Sequence, residues 1–365
     1  MSASPVSEQV MSSLQAAALR RLIEAMPKAE LHLHLDGSLR VDTALELAHS
    51  RGVDAPRDWG GMFAALVAPA RGASQAELLR AFDLPISLMQ DAEALERVAY
   101  ELVEAKAADG VRYLELRWGP LLHIARGLPL ADGIAAVVRG GTLAGERYGV
   151  TVHFIATALR SHEPAANRRL AETAARFRDR GLTGFDLAGP EEAFPDPLDH
   201  KDAFEAAREG RLGVTVHAGE WGGAAQVMRA LELEPDRIAH GAPAIDDPIL
   251  VRHLIARGVT LDLCPSSNVQ AGVVTSLESH PLARLHRAGV SVTLSTDDST
   301  VSNVSLSDEY ERALTRLGLS LPELWAIDKR ALQVAFAAQR TIAEITTELD
   351  DWAAQIPELA PDPAG

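Results

Sequence analysis

A single cysteine, Cys264, stands in the 365 residues of this chain. No internal disulfide framework is therefore available, and a reducing compartment is expected. In the run Leu261-Asp262-Leu263-Cys264-Pro265 it reads as a small buried strand residue. Aromatic residues are scarce, at 5%, while Ala, Leu and Val are abundant, a balance typical of soluble globular proteins. No stretch approaches about 18 uninterrupted apolar residues, so no transmembrane helix is expected. Met1 to Gln9 lack the basic start and apolar centre of a signal peptide, and a cytoplasmic protein is expected. Basic residues are outnumbered, 35 Lys and Arg against 51 Asp and Glu, for a net charge of −16. Without a basic stripe, nucleic acid and membrane surfaces are poor partners. No glycine-rich phosphate loop follows any strand-like run, which excludes the common nucleotide-cofactor folds. A neutral small molecule is left as the natural substrate, and a homo-oligomer is compatible with the sequence.

What the chain does contain is a regular alternation of strand and helix. Strand-like runs fall at Glu30–Leu35, Val111–Leu116, Val150–Ala156, Leu182–Leu187, Gly213–His217, Arg237–His240, Val259–Cys264 and Val290–Ser295. Between most of them lie Ala/Leu/Arg/Glu-rich stretches with helical spacing, such as Ala92–Ala107 and Ala165–Arg178. Strand and helix in alternation imply a parallel sheet. Eight such units in one domain spanning 1–365 predict an α/β fold, a (β/α)₈ TIM barrel. The interval from about 39 to 109 is too long for one helix and reads as an inserted helical lid after strand one. Leu78, Leu79 and Phe82 there are candidates to line a pocket, with ordinary helix packing as the alternative. The tail, about 353–365, is expected to fray.

In Glu30-Leu31-His32-Leu33-His34-Leu35-Asp36-Gly37 the polar groups recur at every second position. Side chains in a strand alternate faces, so His32 and His34 point the same way, with Asp36 continuing the row. Paired inward imidazoles would repel when protonated, and a shared metal ion explains them best. In a barrel of this kind chemistry occurs at the carboxyl ends of the strands. There the sequence places Arg117, Asp186, His217 with Glu220, His240, the run Cys264-Pro265-Ser266-Ser267-Asn268, and Asp297 with Asp298. His32, His34, His217 and one aspartate, taken as Asp297, form a ligand set suited to one Zn²⁺, with a position left for water. Zinc lowers the pKa of its bound water towards neutrality. Glu220, beyond the turn at Gly219, is then placed to act as acid and base, and His240 to hold the hydroxide. Asp298, beside Asp297, faces the substrate. His153, within strand three, is assigned no role. His49, His123, His162, His200, His253, His280 and His286 fall in predicted helices or loops and are expected to be solvated.

These residues carry a resemblance. Pro27-Lys28-Ala29-Glu30-Leu31-His32-Leu33-His34-Leu35-Asp36-Gly37-Ser38 is similar to the opening motif of the adenosine deaminases of the amidohydrolase superfamily. The resemblance continues through Phe185-Asp186-Leu187-Ala188-Gly189, Thr215-Val216-His217-Ala218-Gly219-Glu220, Arg237-Ile238-Ala239-His240-Gly241, Cys264-Pro265-Ser266-Ser267-Asn268 and Ser295-Thr296-Asp297-Asp298. It implies zinc-dependent hydrolytic deamination at C6 of an adenine ring, turning adenosine into inosine and ammonia. By position it implies that His32, His34, His217 and Asp297 bind zinc, that Glu220 protonates ring N1, and that His240 steadies the hydroxide. Asp298 would meet N7, the backbone N–H of Gly189 would meet N3, and Asp36 would face the ribose. In relatives acting on free adenine the position of Asp36 resembles glutamate, and in those acting on N6-methyl-AMP it resembles asparagine. Aspartate favours a nucleoside with a 5′-hydroxyl, since a carboxylate accepts from that group and repels a phosphate. Free adenine, N6-methyl-AMP and a 5′-substituted adenosine such as aminodeoxyfutalosine stand as the alternatives. The sequence departs from the family pattern at Pro190, where an acidic residue is usual, and at Ser299, where proline commonly follows the aspartate pair.

Overall fold

The β-rich runs become eight parallel strands in sequential order: β1 (Lys28–His34), β2 (Val111–Trp118), β3 (Thr151–Leu159), β4 (Leu182–Ala188), β5 (Gly213–Ala218), β6 (Arg237–His240), β7 (Thr260–Leu263) and β8 (Val292–Leu294). The computed structural model describes residues 5–70 and 74–359, with side chains from residue 15 onward. Residues 360–365 of the expected tail therefore lie outside the described residues. The sheet curls into the expected (β/α)₈ barrel, and the seam falls on the predicted metal ligands. The N–H of His34 donates to the carbonyl of Asp297 at 2.7 Å, and the N–H of Asp297 donates to the carbonyl of His32 at 3.0 Å. Closing the barrel thus brings the first strand's histidines beside an aspartate 263 positions further along the chain.

The helices cover the outside in the usual way, with an apolar stripe turned inward. In helix Ala92–Ala108, Ala94, Leu95, Val98, Ala99, Leu102 and Val103 are buried at helical spacing, and Asp91 caps its start. The next helix, Leu130–Tyr148, lies so close that a Cβ at Gly140 would sit 2.1 Å from the carbonyl oxygen of Glu96. Only glycine permits that approach. Between β1 and β2 the described residues form five helices, Val41–Arg51, Trp59–Leu66, Gln75–Arg80, Asp83–Leu88 and Ala92–Ala108.

The barrel interior departs from the apolar layers common in this fold. Arg117 is fully buried, donating to the Leu31 carbonyl at 2.7 Å and to Asp186 at 3.3 Å. Arg237 pairs with Asp262 at 3.0 Å and with Glu115. Losing one partner would leave an uncompensated buried charge in this ionic column. Its upper member, Asp186, reaches the active rim.

Candidate active site

The site is assembled by strand ends whose side chains alternate as the pleat dictates. On β1, His32 and His34 bring their Nε2 atoms within 3.3 Å of each other. The Nε2 of His217, at the end of β5, lies 3.1 Å from that of His34. Asp297 Oδ1 completes the group, 3.0 Å from His32 Nε2 and 3.4 Å from His34 Nε2. All four residues are buried, and their atoms form one cluster able to hold a metal ion. Ligand atoms about 2.0–2.1 Å from a single zinc stand about 3–3.4 Å from one another, so the spacing fits.

The protonation states fit as well. Burial lowers His32 well below the ordinary histidine range, and it brings His34 down to about 4. Asp297 is held ionised despite burial, by His32 first and then by His240 and His34. His217 directs Nδ1 at Asp186, 3.0 Å away, which leaves the Nε2 lone pair facing the cluster. His32 and His34, neutral, and Asp297, ionised, are therefore in the forms that ligate, and His217 presents its Nε2 beside them. Ser267 donates to the second Asp297 oxygen at 2.7 Å. Asp297 and His240 both hold positive φ, 66° and 65°, a strained conformation for residues with a side chain.

Glu220 and Asp298 face the same space. Burial raises the Glu220 carboxyl well above the usual range, reinforced by Asp297, Glu191 and Asp298. Burial likewise raises Asp298, reinforced by Asp297 and Asp36, and its Oδ1 has no partner. Both are thus held as proton-bearing acids. Asp298 fits only because residue 37 is glycine, where a Cβ would fall 1.9 Å from its Oδ1. His240 presents an unpartnered Nε2, 3.7 Å from Glu220 and 3.8 Å from Asp297. Asp36 accepts from the Gly119 N–H at 2.9 Å and meets His123 Nε2 at 2.5 Å. Although burial opposes ionisation, His123 and the Gly119 N–H hold its carboxylate below the usual range.

These groups line a cavity of about 360 Å³, together with Gly189, Pro190, Ser161, Trp221 and the apolar residues Leu78, Leu79, Phe82 and Ile86. No lysine or arginine is among its lining residues in the described part of the chain.

Several residues were not foreseen. His123, His200 and His280, expected to be solvated, are 1%, 3% and 4% exposed. Each spends its ring nitrogens on named partners, and a loop position in the sequence does not reveal this. Glu191 is the larger omission. Its carboxylate accepts from the N–H groups of Gly219, Trp221 and Gly222 at 2.7–2.8 Å, bracketing Glu220. Glu191 stands one position after Pro190. Ser299, in place of proline, donates its N–H to Ser38 Oγ at 3.1 Å, a bond that proline would forfeit. Glu191→Ala leaves three loop N–H groups without their acceptor. A loss of about 2 kcal/mol or more in unfolding free energy, read by denaturant titration, is expected, together with a fall in kcat. Unchanged stability and turnover would show that the clamp is idle.

A parallel barrel with a His/His/His/Asp group at its carboxyl rim defines an amidohydrolase-type enzyme, a hydrolase of C–N bonds. The chain belongs to the adenosine deaminase family, whose model matches residues 27–352. It is 37% identical over 317 residues to the adenosine deaminase of Clostridium perfringens, covering 86% of this chain and 95% of that one. In structure it resembles the adenine deaminase of Arthrobacter aurescens, with a TM-score of 0.83 at 27% identity, covering 90% and 99% of the two chains. It also resembles an amidohydrolase from Burkholderia ambifaria with bound Zn, with a TM-score of 0.83 at 25% identity, covering 94% and 95%. Among the described residues no helix is long and apolar enough to cross a membrane.

Proposed function

We propose that this protein deaminates adenosine, a 6-aminopurine nucleoside, to inosine and ammonia. Zinc is the ion we assign to His32, His34, His217 and Asp297, given the nitrogen-rich ligand set and the Zn bound by the related amidohydrolase. Bound there, it supplies Lewis acidity that makes water a nucleophile at neutral pH.

The protein's own groups match the ring. The adenine nitrogens N1, N3 and N7 are acceptors, and each meets a donor. The raised carboxyl of Glu220 gives its proton to N1 as C6 becomes tetrahedral, then shuttles a proton to the departing amine. Asp298, also proton-bearing, donates to N7. The Gly189 N–H, at the edge of the same cavity, is assigned to N3. His240 Nε2 holds the attacking oxygen, and the apolar helices between β1 and β2 shed water from the ring.

The observation that carries the nucleoside reading is the sign of the cavity's charge. The ionised carboxylate of Asp36 lines it, Glu220 and Asp298 being neutral and Asp297 spent on the metal, and no lysine or arginine is among the described lining residues. A 5′-phosphate would enter this field without a counter-charge, whereas a 5′-hydroxyl donates to the Asp36 carboxylate. The volume lies near the low end of the ~300–1,000 Å³ usual for small-molecule sites, which suits a nucleoside better than a bulky 5′ derivative.

A panel of adenosine, adenine, N6-methyl-AMP and a 5′-substituted adenosine, followed by ammonia release, tests this. Adenosine is expected to show the highest kcat/KM, and Asp36→Asn to lower it by about 10-fold or more while affecting adenine little. A preference for adenine or a monophosphate in the wild type would overturn the substrate assignment.

A further inference from the structure

Two buried residues outside the ligand set, Asn268 and His280, have no part in the reading above, and their hydrogen bonds form a directed chain to His240. Every link has a determinable polarity. The chain starts at the backbone N–H of Leu282, which only donates, and its acceptor is His280 Nδ1 at 3.2 Å. Burial brings His280 down to about 3, so the ring is neutral and carries a single proton, which must then be on Nε2. That N–H points at Asn268, 3.0 Å away. An amide nitrogen there would place donor against donor, so the Asn268 oxygen faces His280. Its NH₂ consequently faces His240 Nδ1, 3.1 Å away, and donates to it. His240 Nδ1 is therefore an acceptor. An imidazole whose Nδ1 accepts carries its proton on Nε2. Nε2 is the nitrogen without a protein partner, aimed into the space between Glu220 and Asp297.

We infer that Asn268 and His280 are positioning residues that lock His240 in its Nε2–H tautomer, so that it presents a hydrogen-bond donor to the attacking oxygen. The inference rests on the deaminase reading for its kinetic consequence, but the tautomer itself is independent of any substrate. All three side chains are 0–4% exposed, so water cannot readily substitute for a link. The geometry comes from local structure. Asn268 lies in the short helix Pro265–Gln270, directly after β7, and its N–H is anchored on the Cys264 carbonyl at 2.9 Å. His280 sits just before helix Leu282–Arg287, and the N–H it accepts from is the first of that helix. A helix start that would otherwise leave this donor unpaired is thereby used to orient a ring two residues away in the chain.

The opposite tautomer would turn a lone pair, rather than a proton, towards the oxygen. In the serine-protease triad a wrong histidine tautomer lowers kcat by about 10⁴-fold. The test is Asn268→Asp, of nearly the same shape, whose ionised carboxylate only accepts and so draws the His240 proton to Nδ1. In protein labelled with ¹⁵N-histidine, two-bond ¹H–¹⁵N correlation spectra distinguish a protonated from an unprotonated ring nitrogen, and the His240→Gln variant assigns the signal. The wild type is expected to show His240 protonated at Nε2, and Asn268→Asp to show it protonated at Nδ1. Turnover should fall by about 10²-fold or more in kcat with little change in KM. His280→Gln, which keeps a donor for the Asn268 oxygen, should retain more kcat than His280→Leu. A wild-type His240 protonated at Nδ1, or an Asn268→Asp variant with unaltered tautomer and kcat, would overturn the inference. A wild type inactive on adenosine but with His240 in the Nε2–H form would overturn the substrate reading and leave the relay standing.

Discussion

Replacing Glu220 by glutamine is expected to lower kcat by about 10²–10⁴-fold while leaving the metal bound and the fold intact. The expectation follows from what the substitution preserves. Glutamine has the same length, fits the same buried space, and matches the neutral form that burial and the neighbouring Asp297, Glu191 and Asp298 already impose. It can donate a hydrogen bond to N1 but cannot transfer a proton to it. Ground-state binding should therefore survive, and KM should change far less than kcat. The pH profile adds an independent readout. A raised carboxyl stays protonated to higher pH than an ordinary glutamate, so the acid form is lost, and activity falls, only as pH climbs past that raised value. In Glu220→Gln the residual rate should lack this alkaline limb. Metal analysis, kcat and the pH profile of the variant check the claim, and a kcat within a few-fold of wild type would remove Glu220 from proton transfer.

The fold was legible because the chain repeats one simple pattern, and the pattern survives errors at its edges. The strand expected at Arg237–His240 is found with those bounds. That at Val150–Ala156 instead runs Thr151–Leu159, and that at Val290–Ser295 shrinks to Val292–Leu294. These shifts have a common cause. Strand ends are decided by neighbours in the barrel, as where Ser295, just past β8, accepts through its hydroxyl from the N–H of His32 at 3.2 Å. Composition within the run carries no trace of that partner.

The four clustered residues were legible for a different reason. Alternation on β1 fixes the relation of His32 to His34, and the barrel's rule for its carboxyl ends brings His217 and Asp297 to the same rim. What the sequence hid were the residues acting on those residues. Asp186 was visible at a strand end, but its partnership with His217 depends on which neighbour the barrel gives it. Glu191 lies in a loop after Pro190 and shows its purpose only when its carboxylate is seen under three N–H groups. His123 and His280 looked like loop histidines because burial of a loop is set by what folds over it. Residues that touch the reacting atoms are constrained by chemistry and announce themselves by type and spacing. Residues that orient them are constrained by packing, which one sequence read alone does not display.

Removing the metal should be felt in stability as well as activity. Three imidazole Nε2 atoms and a carboxylate oxygen converge within 3.0–3.4 Å with their lone pairs facing inward. Without a cation this is a buried concentration of mutually repelling electron pairs, relieved only by protons or water. With one, the group becomes attractive, and binding to the folded chain alone shifts unfolding by mass action. At a metal concentration about 1,000 times Kd the gain is about 4 kcal/mol. For 365 residues, unfolding entropy of about 2.1 cal/mol/K per residue converts this to about 5 °C in Tm. Exhaustive chelation is therefore expected to abolish turnover and lower Tm by about 5 °C, with Zn²⁺ restoring both. Asp297→Ala should lose the metal and the chelator sensitivity together, because its carboxylate supplies the site's only charged ligand. Asp186→Asn should weaken metal affinity by about 10–100-fold without removing a ligand, since it disturbs the hydrogen bond that orients His217. A Tm indifferent to chelation, in protein shown to contain bound metal beforehand, would mean that the ion sits elsewhere.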